Sequence, residues 1–464
     1  MKILSIVTYA FVLPICCSLA GCSGLLPRSQ YTRPEVALPQ QWQATGVTGS
    51  AVATKRQWWR DYNDQTLSEL IELALRSNNN LAAATIKVKR AQLSARLTNT
   101  NLTPTVSADL SSSLSRDLTT RRETKSSGVT LSASYELDLW GKLASARDAS
   151  KWEAEATEYD RQSTALALVG TVATNYWTIA YLNERIASVD ASILNAERVL
   201  GLVEVKYQAG AVSALDKLQA QQTVASQKAQ LTELWQQRTE ARNALAILFN
   251  QAPEHTVPER QRLPEGALPQ VQAGLPASLL GQRPDLQAAE QRLKKYLANV
   301  DTTRASYYPS FTLTGTLGTS STSLVEVVKN PYAALGAGLA LPFIQWNTMR
   351  LHVETAQADY EEAVVNFRQT LYAALSDVEN ALAARKNYAE ELKQLQDSLD
   401  LAKKAEQLAE VRYLTGSTDL QTWLDTQERR RDAERAFAVV RLAQLKNSMA
   451  LYQVIGGTTA LPVP

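Results

Sequence analysis

The chain has 464 residues, is 45% hydrophobic but only 7% aromatic, and carries 48 basic against 46 acidic side chains for a formal charge of +2. That near balance, without any basic block, excludes a nucleic-acid surface, which needs a clustered positive face. Ala, Leu and Val supply the apolar content, and Gln, Glu, Lys and Arg are abundant, a mixture that favours long helices.

Lys2 precedes an apolar core from Ile3 to Ile15, and Leu19-Ala20-Gly21-Cys22 follows. Such a core falls short of the roughly 20 residues a permanent span needs, so residues 1–21 are expected to be a signal peptide. The run ending at Cys22 resembles the lipobox of bacterial lipoproteins, whose cysteine is acylated and becomes the first residue; the alternative is an ordinary signal with a chance cysteine. The resemblance implies a diacylglycerol and a palmitoyl group on Cys22 and makes residues 22–64 a lipid-anchored N-terminal segment. Removal of Cys16 and Cys17 leaves one cysteine and no intramolecular disulfide. Ser23 follows Cys22; lipoproteins held in the inner membrane often have Asp there, so serine is compatible with transfer to the outer membrane.

Beyond this segment the chain repeats itself at an offset of about 205 residues. Asn80-Leu81 matches Asp285-Leu286, Pro104 matches Pro309, and Trp140 matches Trp346. Val205-Lys206-Tyr207 with Gly210 matches Val411-Arg412-Tyr413 with Gly416. The first unit is placed at 65–260, with a hairpin at about 104–139 and helices at about 142–250. A Pro- and Gly-containing linker covers 261–282. The second unit follows at 283–457, with a hairpin at about 309–343 and helices at about 346–455, before a tail at 458–464.

Each hairpin is read from period-two alternation. Val129, Leu131, Ala133, Tyr135, Leu137 and Leu139 alternate with Thr130, Ser132, Ser134, Glu136 and Asp138. Val106, Ala108, Leu110 and Leu114 alternate with Thr105, Ser107, Asp109 and Ser113. In the second unit Phe311, Leu313, Gly315 and Leu317 are followed by Leu335, Ala337, Leu339, Leu341 and Phe343, and polar loops are expected at 115–128 and 319–330. Segments of about ten residues have the length of tilted membrane-crossing strands; a small soluble sheet on a core is the other reading. Four strands cannot close, and lipid does not tolerate open edges. A membrane reading therefore demands several copies. Two copies give about eight strands and a filled interior, whereas three give about twelve and a lumen.

The intervening helices are long. From Lys142 to Lys206 there is no proline and glycine only at Gly170 and Gly201, enough for about 100 Å of helix. Ile179, Leu182, Ile186, Val189, Ile193, Ala196, Leu200 and Val203 alternate three and four apart, as do Tyr388, Leu392, Leu395, Leu399 and Ala402. Both are coiled-coil seams.

These residues, together with Tyr31-Thr32-Arg33-Pro34, Trp58-Trp59, Leu67, Leu70, Leu81, Gln282-Arg283-Pro284-Asp285-Leu286 and the two Tyr-x-x-Gly turns, resemble the outer-membrane factor family. These are the TolC-like proteins, and the likeness is to their lipid-anchored NodT-type branch. The resemblance implies an α+β membrane protein and a homotrimer. Four strands per protomer enter one barrel of about twelve strands, and long antiparallel coiled-coil helices form a periplasmic tunnel. It implies docking on a periplasmic adaptor and an inner-membrane efflux pump, and passive export of drugs, dyes or detergents in multidrug resistance. The tips at Tyr207, Gly210, Tyr413 and Gly416 match the family's adaptor-contacting ends. Asp425, in Leu424-Asp425, matches a gate carboxylate of the family; Thr422 stands where a second is expected, leaving Asp419 and Asp216 as further gate candidates. Lys206, Arg412 and Arg429 are candidate counter-charges. The plainer reading is negative charge placed favourably near a helix N-terminus.

An enzyme is not expected: His255 and His352, the two histidines, lie apart and in no nucleophile or metal motif. Neither a metal nor a bound cofactor is expected beyond the lipid on Cys22, because Met349 and Met449 read as core residues rather than a soft-metal site. A non-conducting lipid-anchored scaffold or adhesin would share the cysteine and the seams, but would not need two alternating hairpins at matching places.

Overall fold

The computed structural model describes residues 28–43, 57–253, 255–271, 276, 279–323 and 326–457, so Cys22, the leader 1–21 and the tail 458–464 lie outside the described residues. Its elements run α1 (Gln65–Ser77), α2 (Asn79–Thr100), β1 (Thr105–Arg116), β2 (Glu123–Leu137), α3 (Lys142–Gln208) and α4 (Ala214–Leu248). The order from α2 onward then recurs as α5 (Pro284–Ala305), β3 (Ser310–Ser321), β4 (Pro331–Ala340), α6 (Trp346–Leu414) and α7 (Leu420–Val454).

Several strand ends differ from the alternation pattern, among them that of β3, which runs to Ser321 inside the loop expected at 319–330. β2 starts at Glu123, well before Val129, because its ladder with β1 continues to Arg116↔Glu123. Backbone hydrogen bonds carry a ladder whether or not its side chains are apolar. The loop is therefore 117–122 rather than 115–128. β4 ends at Ala340, and Pro342–Gln345 form a single 3-10 turn. Pro342 has no N–H to give a ladder, so Leu341 and Phe343 lie past the strand, as Leu139 lies past β2.

Contacts divide the chain into two compact units, each drawing on both repeats. The first gathers residues 28–36, 87–158 and 288–369. It holds one antiparallel sheet in the order β1-β2-β3-β4. Residues 28–33 strap the unit's helices α3 and α5: Arg28 pairs with Asp148 at 3.0 Å, Ser29 donates its N–H and hydroxyl to Asp301, and Arg33 reaches Glu290 at 2.7 Å. The α3 start is capped by Asp138, whose carboxylate accepts the N–H groups of Leu143 and Ala144, both at 2.9 Å. Trp140 donates its indole N–H to the Pro309 carbonyl at 2.7 Å, joining the end of one hairpin to the start of the other.

The second unit comprises the described residues of 37–86, 159–287 and 370–457. Its core packs Trp58, Trp59, Leu67 and Ile71 against Val172, Tyr176 and Trp177 of α3, with Leu245, Phe249, Met449 and Tyr452. Trp58 stacks on Tyr452 at 4.6 Å. Part of α3 is apolar and long enough to cross a bilayer, but these side chains are what it buries. Farther along, Leu182, Ile186, Val189 and Ile193 meet Leu231 and Leu234 in the expected seam. Arg283 lies mostly buried where α5 begins. It pairs with Asp285 and Asp377 and donates to the Val454 carbonyl, and the carbon a side chain would add at Gly456 (φ +84°) would fall 2.6 Å from the Gln282 backbone.

Candidate channel wall and helix tips

Residues directly opposite in an antiparallel ladder share a face, so the register sorts the sheet into two surfaces. Leu110↔Val129, Leu131↔Leu317, Tyr135↔Leu313 and Phe311↔Leu339 fall on one. Up to the level of Leu110 and Val129 that face is apolar from β1 to β4 and unusually bare, with Leu110 73% exposed and Leu335 94%, while Ser112↔Ser127, Leu114↔Lys125 and Arg116↔Glu123 continue it toward the first hairpin's turn. In water such a surface would drive aggregation; against hydrocarbon its exposure is favourable.

The other face consists of serine, threonine, glycine and alanine with few exceptions. Its strand residues include two carboxylates, Asp109 and Glu136, and Glu136 holds Lys142 Nζ at 2.5 Å. Asp109 lies opposite Thr130, which lies opposite Gly318, which lies opposite Tyr332. The Tyr332 ring covers Gly318 so closely that an added carbon there would sit 2.6 Å from it, which is how an aromatic shields a glycine in a strand. Among the described residues, no strand flanks the outer edge of β1 or of β4.

The second candidate region is the pair of helix turns. Gly210 (φ +70°) and Gly416 (φ +76°) end the long helices in left-handed conformations that suit glycine. Backbone bonds close both turns in the same way, Ala211 N–H to the Lys206 carbonyl and Ser417 N–H to the Arg412 carbonyl. Ser213 then caps α4 in a reciprocal box with Asp216, whose carboxylate accepts the Ser213 N–H at 2.8 Å. Asp419 caps α7 by accepting the Thr422 N–H at 2.7 Å, and the hydrogen bonds from Thr422 hold its carboxyl below the ordinary range. Asp425 is exposed and accepts from the Gln421 amide at 2.6 Å. Two of the three candidate gate carboxylates thus also secure a helix start.

The turns lie together. Val199, Val203 and Ala220 pack with Ala409, Tyr413, Leu420, Trp423 and Leu424. Tyr413 stacks on Trp423 at 5.1 Å, and Lys206 Nζ sits 4.2 Å above the Tyr413 ring. Burial raises the Tyr413 phenol, with the Asp216 charge adding to it. Lys206, a candidate counter-charge, is therefore held by an aromatic face, and Tyr207 remains 42% exposed beside Lys217. Trp423 and the fully buried Gln427, neither of whose amide atoms has a partner, are absent from the sequence expectations. A tryptophan four positions after the Asp419 cap was the available signal for the first. Gln427 gives none, because a glutamine in a polar helix looks like surface.

A sequence model of the family described as outer membrane efflux protein matches residues 70–251 and 275–457. The pyoverdine export outer membrane protein OpmQ of Pseudomonas putida is 33% identical over 457 residues, covering 96% of each chain. The toxin and drug export protein A of Aggregatibacter actinomycetemcomitans is 30% identical, covering 87% of this chain and 89% of its own. Among solved structures, the open state of the Neisseria gonorrhoeae MtrE outer membrane channel superposes with a TM-score of 0.78 at 29% identity, covering 94% of this chain and all of that one.

Proposed function

The chain belongs to the outer membrane efflux protein family, and from that premise we infer how its parts divide the work of export. It is the outer-membrane channel of a tripartite efflux system, a homotrimer partnered by a periplasmic adaptor and an inner-membrane pump. One observation carries the mechanism: a four-stranded sheet with one face carrying an apolar band from β1 to β4, one hydroxyl-rich face and two open edges. Three copies joined edge to edge give about twelve strands, lipid outside and water inside. The helices form the periplasmic tunnel, and the pump supplies the energy.

Beyond this, Cys22 carries the lipid anchor and the leader 1–21 is removed. The turns at Tyr207–Gly210 and Tyr413–Gly416 are the adaptor-contacting ends, supported by the exposure of Tyr207 and by glycines in open space. Asp425, Asp216 and Asp419 form the gate: in a trimer they recur around the axis, where like charges repel and cations are attracted. The cargo is organic, such as drugs, dyes or detergents, in keeping with relatives named for antibiotic, toluene and pyoverdine export. No catalytic step is assigned to it. Purified protein in planar bilayers tests the reading. A heat-labile trimer that conducts ions is expected, with higher leak for Asp425→Ala combined with Asp216→Ala; a protein that never conducts would refute the channel.

A further inference from the structure

Within one chain the step from first repeat to second is made by identifiable parts: the β2–β3 ladder, and the Trp140 indole bound to the Pro309 carbonyl with the Tyr308 ring tilted against it, centroids 5.1 Å apart. The repeat supplies a second set. Trp346 stands where Trp140 does, Pro104 where Pro309 does, and β4 and β1 where β2 and β3 do. In the single chain this second set is unused. Trp346 is 64% exposed, and β4 and β1 are the two edges.

We propose that Trp346 donates its indole N–H to the Pro104 carbonyl of the next copy and thereby fixes the register of β4 on that copy's β1. This rests on the trimeric barrel reading and adds its joint. Three copies then make six quasi-equivalent steps around the ring, alternately within and between chains. The position matching Tyr308 is Thr103, so the intersubunit site keeps the carbonyl and loses the neighbouring ring.

The register follows by carrying the β2–β3 ladder across. Val129↔Thr319 becomes Leu335 opposite Leu114, and Ala133↔Gly315 becomes Leu339 opposite Leu110. All four leucines are more than half exposed, at 94%, 65%, 56% and 73%. Both pairs join apolar face to apolar face. A slip of one residue would set Leu335 against Ser113 or Ser115 and turn the next copy's sheet inside out. The transferred ladder thus keeps the lipid-facing sides together and, unlike a slip of two residues, which would set Leu335 against Ser112 or Arg116, opposes leucine to leucine at both pairs.

Cysteine pairs in the full-length acylated protein test this, since opposed residues in a sheet are within disulfide reach. Leu335→Cys with Leu114→Cys should give covalent dimers and trimers on oxidation, and Leu335→Cys with Ser115→Cys should not. Trp346→Phe keeps the ring but removes the donor, and its trimer band should be lost at a temperature the parent survives. Trimers that cross-link through the offset pair, or a Trp346→Phe trimer as heat-resistant as the parent, would overturn the joint while leaving the trimer intact. A parent that forms no trimer would overturn the barrel reading and this one with it.

Discussion

Asp64 concentrates several duties in one buried carboxylate. It caps α1 by accepting the Leu67 N–H, pairs with Arg260 at the end of the first unit at 2.7 Å, and accepts the Tyr176 hydroxyl at 3.3 Å. Asp64→Ala should destabilise the protein by about 2–3 kcal/mol, because a lost cap is compounded by stranded partners. Thermal unfolding followed by circular dichroism measures it, with Asp64→Asn milder. Tyr452 makes a pH prediction. Burial, the Asp61 charge and the hydrogen bond to Asp61 raise its phenol from 10 to about 12. A group whose folded value is raised contributes stability fully below its unfolded value and loses it as pH climbs through the folded one. Stability should therefore fall between pH 10 and about 12, and less steeply in Tyr452→Phe. Superimposable alkaline curves for parent and variant would remove Tyr452 from this role.

The strands show how differently two faces of one element respond to the same change. Leu110→Lys places a charge on the lipid side, where it should cost about 2–4 kcal/mol near the midplane and lower the yield of inserted trimer. Ser111→Lys, one position on, should insert normally and alter only conductance. Equal insertion of the two would contradict the assignment of faces. This alternation was legible in the sequence because burial in lipid filters side chains with period two, and the coiled-coil seams were legible because Ile186, Val189 and Ile193 obey a similar filter. Strand ends were not. The outer half of the first hairpin, Ser111–Ser115 with Thr124–Ser127, pairs through its backbone and a Ser112–Ser127 hydroxyl contact at 3.0 Å, and carries little apolar signal. Nor was the grip of Lys206 on Tyr413 visible: it joins residues about two hundred positions apart, and no local pattern encodes which aromatic a lysine will meet. The caps were half legible. Ser213 and Asp216 spell a helix start, which is why the same carboxylate serves both a structural and a gating hypothesis.

The assembled wall has a charge balance that one protomer already specifies. With Glu136 neutralised by Lys142, Asp109 is the unpaired carboxylate on the water-facing side of the strands, among neutral Ser107, Ser111 and Thr130. Three copies place it around a lumen whose radius, at about 12 Å for the backbone, is comparable to the Debye length at 0.1 M salt. Asp109→Asn should lower the potassium-to-chloride permeability ratio roughly threefold at that salt, read as a shifted reversal potential in a gradient; an unshifted potential would place the preference elsewhere. The two different edges also have a genetic consequence. Each copy offers β1 to one neighbour and β4 to the other, so a copy spoiled at one edge still enters the ring by its sound one. Random mixing of equal amounts of sound and spoiled chain leaves about one ring in eight intact. An edge mutation should thus behave as a dominant allele in a cell that also makes the wild-type chain, where a simple deletion would pass unnoticed.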